Sequence, residues 1–84
     1  MLKSGREVNG MKIRFNKEKL KSLRAEQNYT QSALADETGL STRYIRGLEL
    51  GTKKRPAAEV VCKIAFALDT SMEELLSVIP DNAK

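Results

Sequence analysis

Cationic side chains are the groups in this sequence best suited to bind another molecule. Arg43 and Arg46 stand three residues apart, and Lys53, Lys54 and Arg55 follow as a run. A guanidinium can hold a phosphate or a base edge through two parallel hydrogen bonds, whereas a lysine attracts phosphate as a point charge. This short segment therefore predicts a surface that binds a polyanion.

The groups that most enzymes need are missing. The chain contains no histidine and one cysteine, Cys62. Zinc sites built from Cys and His, His-based triads and an internal disulfide are thereby excluded. A helical domain of 84 residues also leaves little room for an enclosed pocket. We predict that the chain is not an enzyme, has no catalytic or metal site and needs no cofactor.

Composition and charge predict one soluble domain with two unlike surfaces. Hydrophobic residues make up 40% and charged residues 31%, as in globular domains. No apolar run approaches the roughly 18 residues that cross a bilayer, so we expect no membrane contact and a cytoplasmic location. The net charge of +4 is uneven: residues 40–55 carry five basic side chains and one acidic one, and residues 56–84 carry two and five. Such polarity is typical of a protein with one face on phosphate.

Capping residues and glycines predict where the elements lie. The alternation in residues 11–15 allows one edge strand or extended segment but no sheet. The rest is predicted as five short helices, with residues 15–79 as the domain, residues 1–14 as a partly flexible arm and residues 80–84 as a tail. The signals are four N-cap residues, a proline at a helix start and two glycines at helix ends: Asn16, Thr30, Ser41, Ser71, Pro56, Gly39 and Gly51.

Helices 2 and 3, with the turn at residues 38–40, predict a helix-turn-helix unit. Ala35 is small enough for close helix approach, Gly39 permits the turn, and Ile45 and Leu48 would anchor helix 3. The second helix of such a unit can lie in the major groove of DNA.

The order and spacing of these residues resemble the Cro/cI-type (XRE-like) helix-turn-helix family of phage repressors and their bacterial relatives, over about residues 16–77. The resemblance implies an all-α, five-helix, lambda-repressor-like DNA-binding domain with a short extended N-terminal arm. The residues that carry it are Thr30-Gln31-x-x-Leu34-Ala35, Gly39, and Ile45-x-x-Leu48-Glu49-x-Gly51.

The resemblance also implies roles for single residues. Base contact is implied for Thr42 and Arg43, and base or phosphate contact for Arg46. Gly47 stands where many relatives have a longer polar side chain that contacts a base. It is therefore expected to face outward, and without a side chain it can only allow close approach of the DNA. The residues implied to contact the DNA backbone are Gln31, Ser41, Tyr44, Lys53, Lys54 and Arg55.

Several residues have alternative interpretations. The resemblance favours an ion pair between Arg24 and Glu49 over a phosphate contact for Arg24. Tyr44 is either a phosphate-binding hydroxyl or a half-buried packing residue. The run Lys17, Lys19 and Lys21 is interpreted as a solvated helix face rather than a groove reader.

Phe66 and Cys62 form an outward apolar stripe on helix 4, with Cys62 expected to be partly buried. The stripe either packs against Ile13 and Phe15 of the arm, which we favour, or forms a dimer contact. Leu50, which stands where relatives often carry a charge, raises the same question.

The favoured function is sequence-specific binding of double-stranded DNA by a small transcriptional regulator. We expect a repressor that acts as a homodimer on a near-palindrome with half-sites about 34 Å apart. The main alternative is an antitoxin that neutralises a toxin protein and autoregulates its operon, so the protein partner is a toxin or another regulator. A further alternative is an adaptor that has lost DNA binding, against which the retained basic residues argue.

Overall fold

The computed structural model describes residues 11–80, and residues 1–10 and 81–84 of the predicted arm and tail lie outside that range. Four α-helices and a short two-stranded sheet make up the fold. In chain order the elements are β1 (Met11–Phe15), α1 (Lys17–Glu26), α2 (Gln31–Thr38), α3 (Thr42–Leu50), α4 (Ala58–Ala67), a 3-10 helix (Met72–Leu75) and β2 (Leu76–Pro80).

Local hydrogen bonds explain where the helices begin. Asn16 Oδ1 accepts a hydrogen bond from Lys19 N at 3.0 Å, Thr30 Oγ1 from Ala33 N at 2.9 Å, and Ser41 Oγ from Tyr44 N at 3.0 Å. Each of these bonds satisfies a backbone donor that the first helical turn leaves unpaired. The N-caps predicted for the first three helices therefore lie where the sequence indicated.

Left-handed residues end the helices. Gly39 and Gly51 have φ values of 75° and 90° and cap the C-termini of α2 and α3. Asn28 and Asp69 adopt φ values of 61° and 57°, which Asn and Asp tolerate better than most side chains. The short turns that follow let consecutive helices fold back on one another.

One core lies between the helices. Phe15 and Leu20, on either side of the N-cap residue of α1, are both buried. Ala35 is only 2% exposed, and no larger side chain stands between α2 and α3 at that point. The fully buried large side chains come from every helix, the 3-10 helix included: Leu20, Leu34, Ile45, Leu48, Ile64, Leu68 and Leu75.

The helical helix-turn-helix fold is confirmed, but two details of the prediction were wrong. The fifth helix is a single 3-10 turn, in which Ser71 Oγ accepts a hydrogen bond from Glu74 N at 3.3 Å. The chain then becomes β2, which pairs antiparallel with β1, so Met11 lies opposite Pro80 and Phe15 opposite Leu76. Residues 76–80 include β-branched side chains and a proline, both poor in a helix. Asn16 N donates to Leu75 O at 2.8 Å and starts the pairing.

The interpretation of the α4 stripe also needs correction. Phe66 is 87% exposed, so it does not pack against Ile13 and Phe15, and Cys62 is exposed rather than partly buried. Phe15, the proposed partner in the arm, instead packs into the core. A dimer contact, the other interpretation of the stripe, stays a prediction. None of the helices in residues 11–80 is long and apolar enough to span a membrane.

Candidate nucleic-acid interface

The side of α3 that faces away from the core is the candidate reading surface. Ile45 and Leu48 are completely buried, which fixes how the helix is rotated. At 3.6 residues per turn, the opposite side carries Arg43 and Arg46, both exposed. Thr42, at the start of the helix, is partly exposed between them and the turn. The three residues predicted to contact bases thus share one surface, which we call the outward face of α3.

Leu50 ends the outward face. It lies one turn beyond Arg46 and is 65% exposed. An apolar side chain here can contact a thymine methyl group or a sugar but can donate no hydrogen bond. The outward face therefore combines two guanidinium groups with an apolar end.

The segment that joins α3 to α4, residues 51–57, will be called the basic loop. It carries Lys53, Lys54 and Arg55, all exposed. The carbonyl oxygen of Gly47 accepts hydrogen bonds from the backbone N–H groups of Gly51, Thr52 and Lys53 at 3.0–3.1 Å. These bonds hold the start of the basic loop against the last turn of α3.

Gly47 is the residue that allows this close packing. A Cβ atom at this position would lie 2.8 Å from Lys53 Cγ and 3.1 Å from Thr52 Oγ1. The sequence-based expectation that Gly47 faces outward was wrong, because the basic loop covers it and the residue is buried. The sequence reasoning missed this role, since a loop five residues away occupies the missing side chain's place.

Tyr44 packs against the core and supports the basic loop. Its side chain is half-buried, and Lys53 Nζ lies 5.9 Å from the centre of its ring. At this distance the ammonium and the ring face attract each other. The packing interpretation of Tyr44 thus describes its ring, while a phosphate contact through its hydroxyl stays a prediction.

A buried ion pair ties α1 to the end of α3. Arg24 Nε donates to Glu49 Oε2 at 2.6 Å, and Arg24 Nη2 donates to Glu49 Oε1 at 2.9 Å. Arg24 Nη1 also donates to the carbonyl of Tyr29 at 2.8 Å. The structure therefore brings together the two residues whose pairing the resemblance favoured, and the Arg24 guanidinium is largely engaged within the protein.

The protonation of this pair follows from its contacts. Burial alone would raise the pKa of Glu49, but the hydrogen bonds from Arg24 and Gln31 outweigh it and leave the pKa below its ordinary value. The hydrogen bond to Glu49 raises the pKa of Arg24, against the effect of burial. Both groups are therefore charged at neutral pH.

Gln31 and Ser41 keep donors for an outside ligand. Gln31 Nε2 donates one hydrogen to Glu49 Oε1 at 3.0 Å, which links the start of α2 to α3 and leaves the second amide hydrogen available. The Ser41 oxygen accepts the capping bond from Tyr44 N, so its hydroxyl hydrogen is still able to donate. Both donors lie at helix N-termini, where the helix dipole favours an anion.

The helix-turn-helix family model matches residues 20–75, which include all four α-helices except the first turn of α1. The chain belongs to the Cro/cI-type helix-turn-helix family. The match covers the residues that form the outward face of α3 and the basic loop.

Relatives within this family are regulators and controller proteins. The HTH-type transcriptional regulator SinR of Bacillus licheniformis is 28% identical over 60 residues, which cover 71% of this chain and 54% of SinR. This chain thus spans about half the length of that relative. A crystal structure of SinR, the master regulator for biofilm formation, in complex with DNA has a TM-score of 0.68 and 27% identity, covering 70% of this chain and 94% of that one.

A second solved structure is more similar in sequence. It is the restriction-modification controller protein C.AhdI from Aeromonas hydrophila, with a TM-score of 0.67 and 32% identity. The similarity covers 70% of this chain and 88% of C.AhdI. The helical core described above is therefore the shared part of the family.

Proposed function

We propose that this protein is a transcriptional regulator that binds double-stranded DNA in a sequence-specific way, with α3 in the major groove. The observation that carries the proposal is the outward face of α3. Thr42, Arg43 and Arg46 lie on one exposed surface of a helix whose other side is buried in the core. A rigid helix that presents guanidinium groups suits the bidentate reading of guanine O6 and N7.

The basic loop and the helix N-termini supply phosphate contacts in this proposal. Lys53, Lys54 and Arg55 are exposed next to the outward face, and Gln31 and Ser41 retain hydrogen-bond donors. Contacts of this kind fix register and orientation on the duplex but carry no sequence information. The SinR–DNA complex supports the proposal, because that relative shares the helix arrangement with this chain.

The finer proposal is a repressor that binds as a homodimer. Two copies related by a two-fold axis would read half-sites about 34 Å apart, one helical turn of DNA. The exposed Phe66 on α4 offers an apolar contact for the second copy. Bound to an operator, such a dimer would block access to the promoter.

The test is selection of bound sites from a random duplex library, followed by titration at two salt concentrations. We expect enrichment of a near-palindrome with half-sites one turn apart and a steep loss of affinity with salt. Weak, unselective binding with no enriched sequence would contradict sequence-specific recognition. Enrichment of single half-sites would support sequence-specific recognition but contradict binding as a homodimer.

The exposure of Phe66 also favours a second candidate function, the binding of a protein partner such as a toxin or another regulator. Phe66 borders a groove lined by Tyr29, Glu37 and Lys63, so an apolar ring is surrounded by charged and polar groups. Aromatic side chains are common among the few residues that supply most of the binding energy of an interface, so an exposed ring is suited to anchor a partner.

Sedimentation of the purified protein separates the two uses of Phe66. Self-association that weakens in Phe66→Ser supports the homodimer. A protein that stays monomeric at all concentrations supports a different protein partner at Phe66. In that case co-expression with the products of adjacent genes should yield a complex that Phe66→Ser weakens.

A further inference from the structure

A cleft of about 270 Å³ lies beside the basic loop, and β1 and the first turn of α1 also line it. Arg14, Lys17, Lys53 and Lys54 contribute to its lining, and we call it the basic cleft. Three separate elements thus bring four cationic side chains to one depression.

Lys17 is held at a defined place in the basic cleft. A Cβ atom on Gly51 would lie 2.9 Å from Lys17 Nζ, so the ammonium group is packed against the left-handed residue that ends α3. The C-terminal end of a helix carries partial negative charge, which favours a cation there. Lys17 differs in this from its neighbours in the sequence, since Lys19 pairs with Glu74 at 3.2 Å and Lys21 is exposed outside the cleft.

The charges of the basic cleft are not neutralised within the described part of the chain. Among residues 11–80, no carboxylate lies within ion-pair distance of Arg14, Lys17, Lys53 or Lys54, and Glu18 is the one acidic residue in the lining. Like charges gathered in one depression repel each other and favour a bound anion. The cleft therefore has an excess of three positive charges.

The position of the cleft decides which anion fits. Lys53 and Lys54 belong both to the basic loop and to the cleft, so the cleft continues the surface next to the outward face of α3. A duplex that lies along α3 presents further phosphates beyond the basic loop, in a regular row on the same strand. Arg14 and Lys17 line the part of the cleft that β1 and α1 form, away from α3 in the sequence.

We propose that Arg14 and Lys17 form a second phosphate-binding position on the same duplex, so that the DNA backbone runs through the basic cleft between them and the basic loop. This proposal rests on the proposed function. In it β1 has a direct role in binding, because it contributes Arg14 to the cleft that Lys54 also lines. The footprint on DNA then extends past the base pairs read by α3.

The test measures how the affinity for DNA depends on salt for wild type, Arg14→Gln, Lys17→Gln and the double variant. Log K falls linearly with log salt, and each lost phosphate contact should make this slope less steep by about 0.9. Between 50 and 200 mM salt, the double variant should therefore lose about twelvefold less affinity than wild type. The change in slope should be the same on operator and random duplexes, because phosphates carry no sequence information. Lys21→Gln is the matched control, since it removes one exposed charge from α1 at a position outside the cleft.

The outcomes separate this proposal from the one on which it rests. If wild type does not bind DNA, the proposed function fails first. If wild type binds and both single variants keep its salt slope, the basic cleft does not hold the backbone and only this proposal is overturned. Melting temperatures of all variants identify any loss caused by unfolding. Binding that falls for the operator but not for random duplexes would also contradict a phosphate contact.

Discussion

At the scale of single residues, Glu49 is the charge on which the arrangement of α3 depends most. Its carboxylate is 3% exposed and accepts hydrogen bonds from Arg24 and Gln31. One buried side chain thus connects α1, α2 and the end of α3. Arg43 and Arg46, in contrast, are exposed, and within residues 11–80 neither side chain forms a hydrogen bond or ion pair.

Arg43→Ala should weaken binding to the selected operator and relax the choice of base at one position. A bidentate contact with guanine contributes about 1–3 kcal/mol of discrimination, and the alanine side chain cannot make it. Competition titrations with single-base operator variants measure the effect. Lys54→Ala serves as the comparison, because it should weaken all sequences alike. Equal losses on operator and random DNA for Arg43→Ala would exclude base reading.

Arg24→Ala should lower the free energy of unfolding by about 3 kcal/mol, since it leaves the buried Glu49 carboxylate without its main partner. This loss in free energy of unfolding is at the lower end of the range for buried ion pairs, because the Arg24 side chain is still 19% exposed. Urea titration at pH 7 checks it. An unchanged midpoint would show that the pair does not stabilise the fold.

The same pair predicts a pH dependence. The pKa of Glu49 is lower in the fold than the value of about 4.3 expected in the unfolded chain. Its stabilising contribution is therefore complete above about pH 4.3 and is lost as the pH falls through the lower folded value. The stability difference between wild type and Glu49→Gln should be constant above pH 5 and shrink below it. A difference that grows on acidification would contradict the depressed pKa.

At the scale of elements, α3 and the basic loop behave as one unit. Gly47 accepts the loop's backbone hydrogen bonds, Lys53 covers Gly47, and Tyr44 lies beneath the Lys53 ammonium. The loop's cations are thus fixed relative to the outward face. This arrangement reduces the entropy lost when the loop binds a phosphate.

Gly47→Ala should lower the affinity for all DNA sequences with little change in stability. The new Cβ displaces Lys53 and Thr52, while the higher helix propensity of alanine offsets the strain by about 1 kcal/mol. Fluorescence anisotropy on random duplexes and thermal melting measure the two effects. Ser22→Ala, at an exposed position of α1, is the control. Wild-type affinity in Gly47→Ala would mean that the loop does not need this packing.

The elements differ in how well the sequence predicted them. Caps such as Ser41 and stops such as Gly51 act within a few residues, so they indicated the ends of the first three helices. The strand β2 was missed because the spacing of Leu75, Leu76 and Ile79 also fits a helix, and its pairing partner is far away in the sequence. Local patterns carry no information about such a partner.

At the scale of the whole molecule, the two kinds of exposed surface lie on different elements. The cations gather on α3, the basic loop and the basic cleft, whereas the exposed Phe66 lies on α4. The candidate base readers could be chosen from the sequence because the family resemblance implied their roles, and the helical period places them on one face of a single helix. The basic cleft could not, since it forms only where three elements meet.

Phe66→Ser should weaken self-association, and with it the affinity for the full palindrome, without lowering the melting temperature. A ring that is 87% exposed contributes little to the core, so its removal leaves no cavity. Sedimentation velocity and operator titration measure the two effects, with Phe66→Tyr as a control that keeps the ring. A serine variant that associates as tightly as wild type would exclude Phe66 from the dimer contact.

The hairpin has a consequence for the order of folding. Met11 pairs with Pro80, so the two strands can meet only by closing a loop that contains every helix. Long loops lose more entropy on closure than short ones, and local contacts form first. We therefore expect the strands to pair last, starting from the bond between Asn16 and Leu75 once α1 and the 3-10 helix have packed. In hydrogen exchange we expect the hairpin amides to exchange through local opening, at a lower free energy than the amides of the central helices.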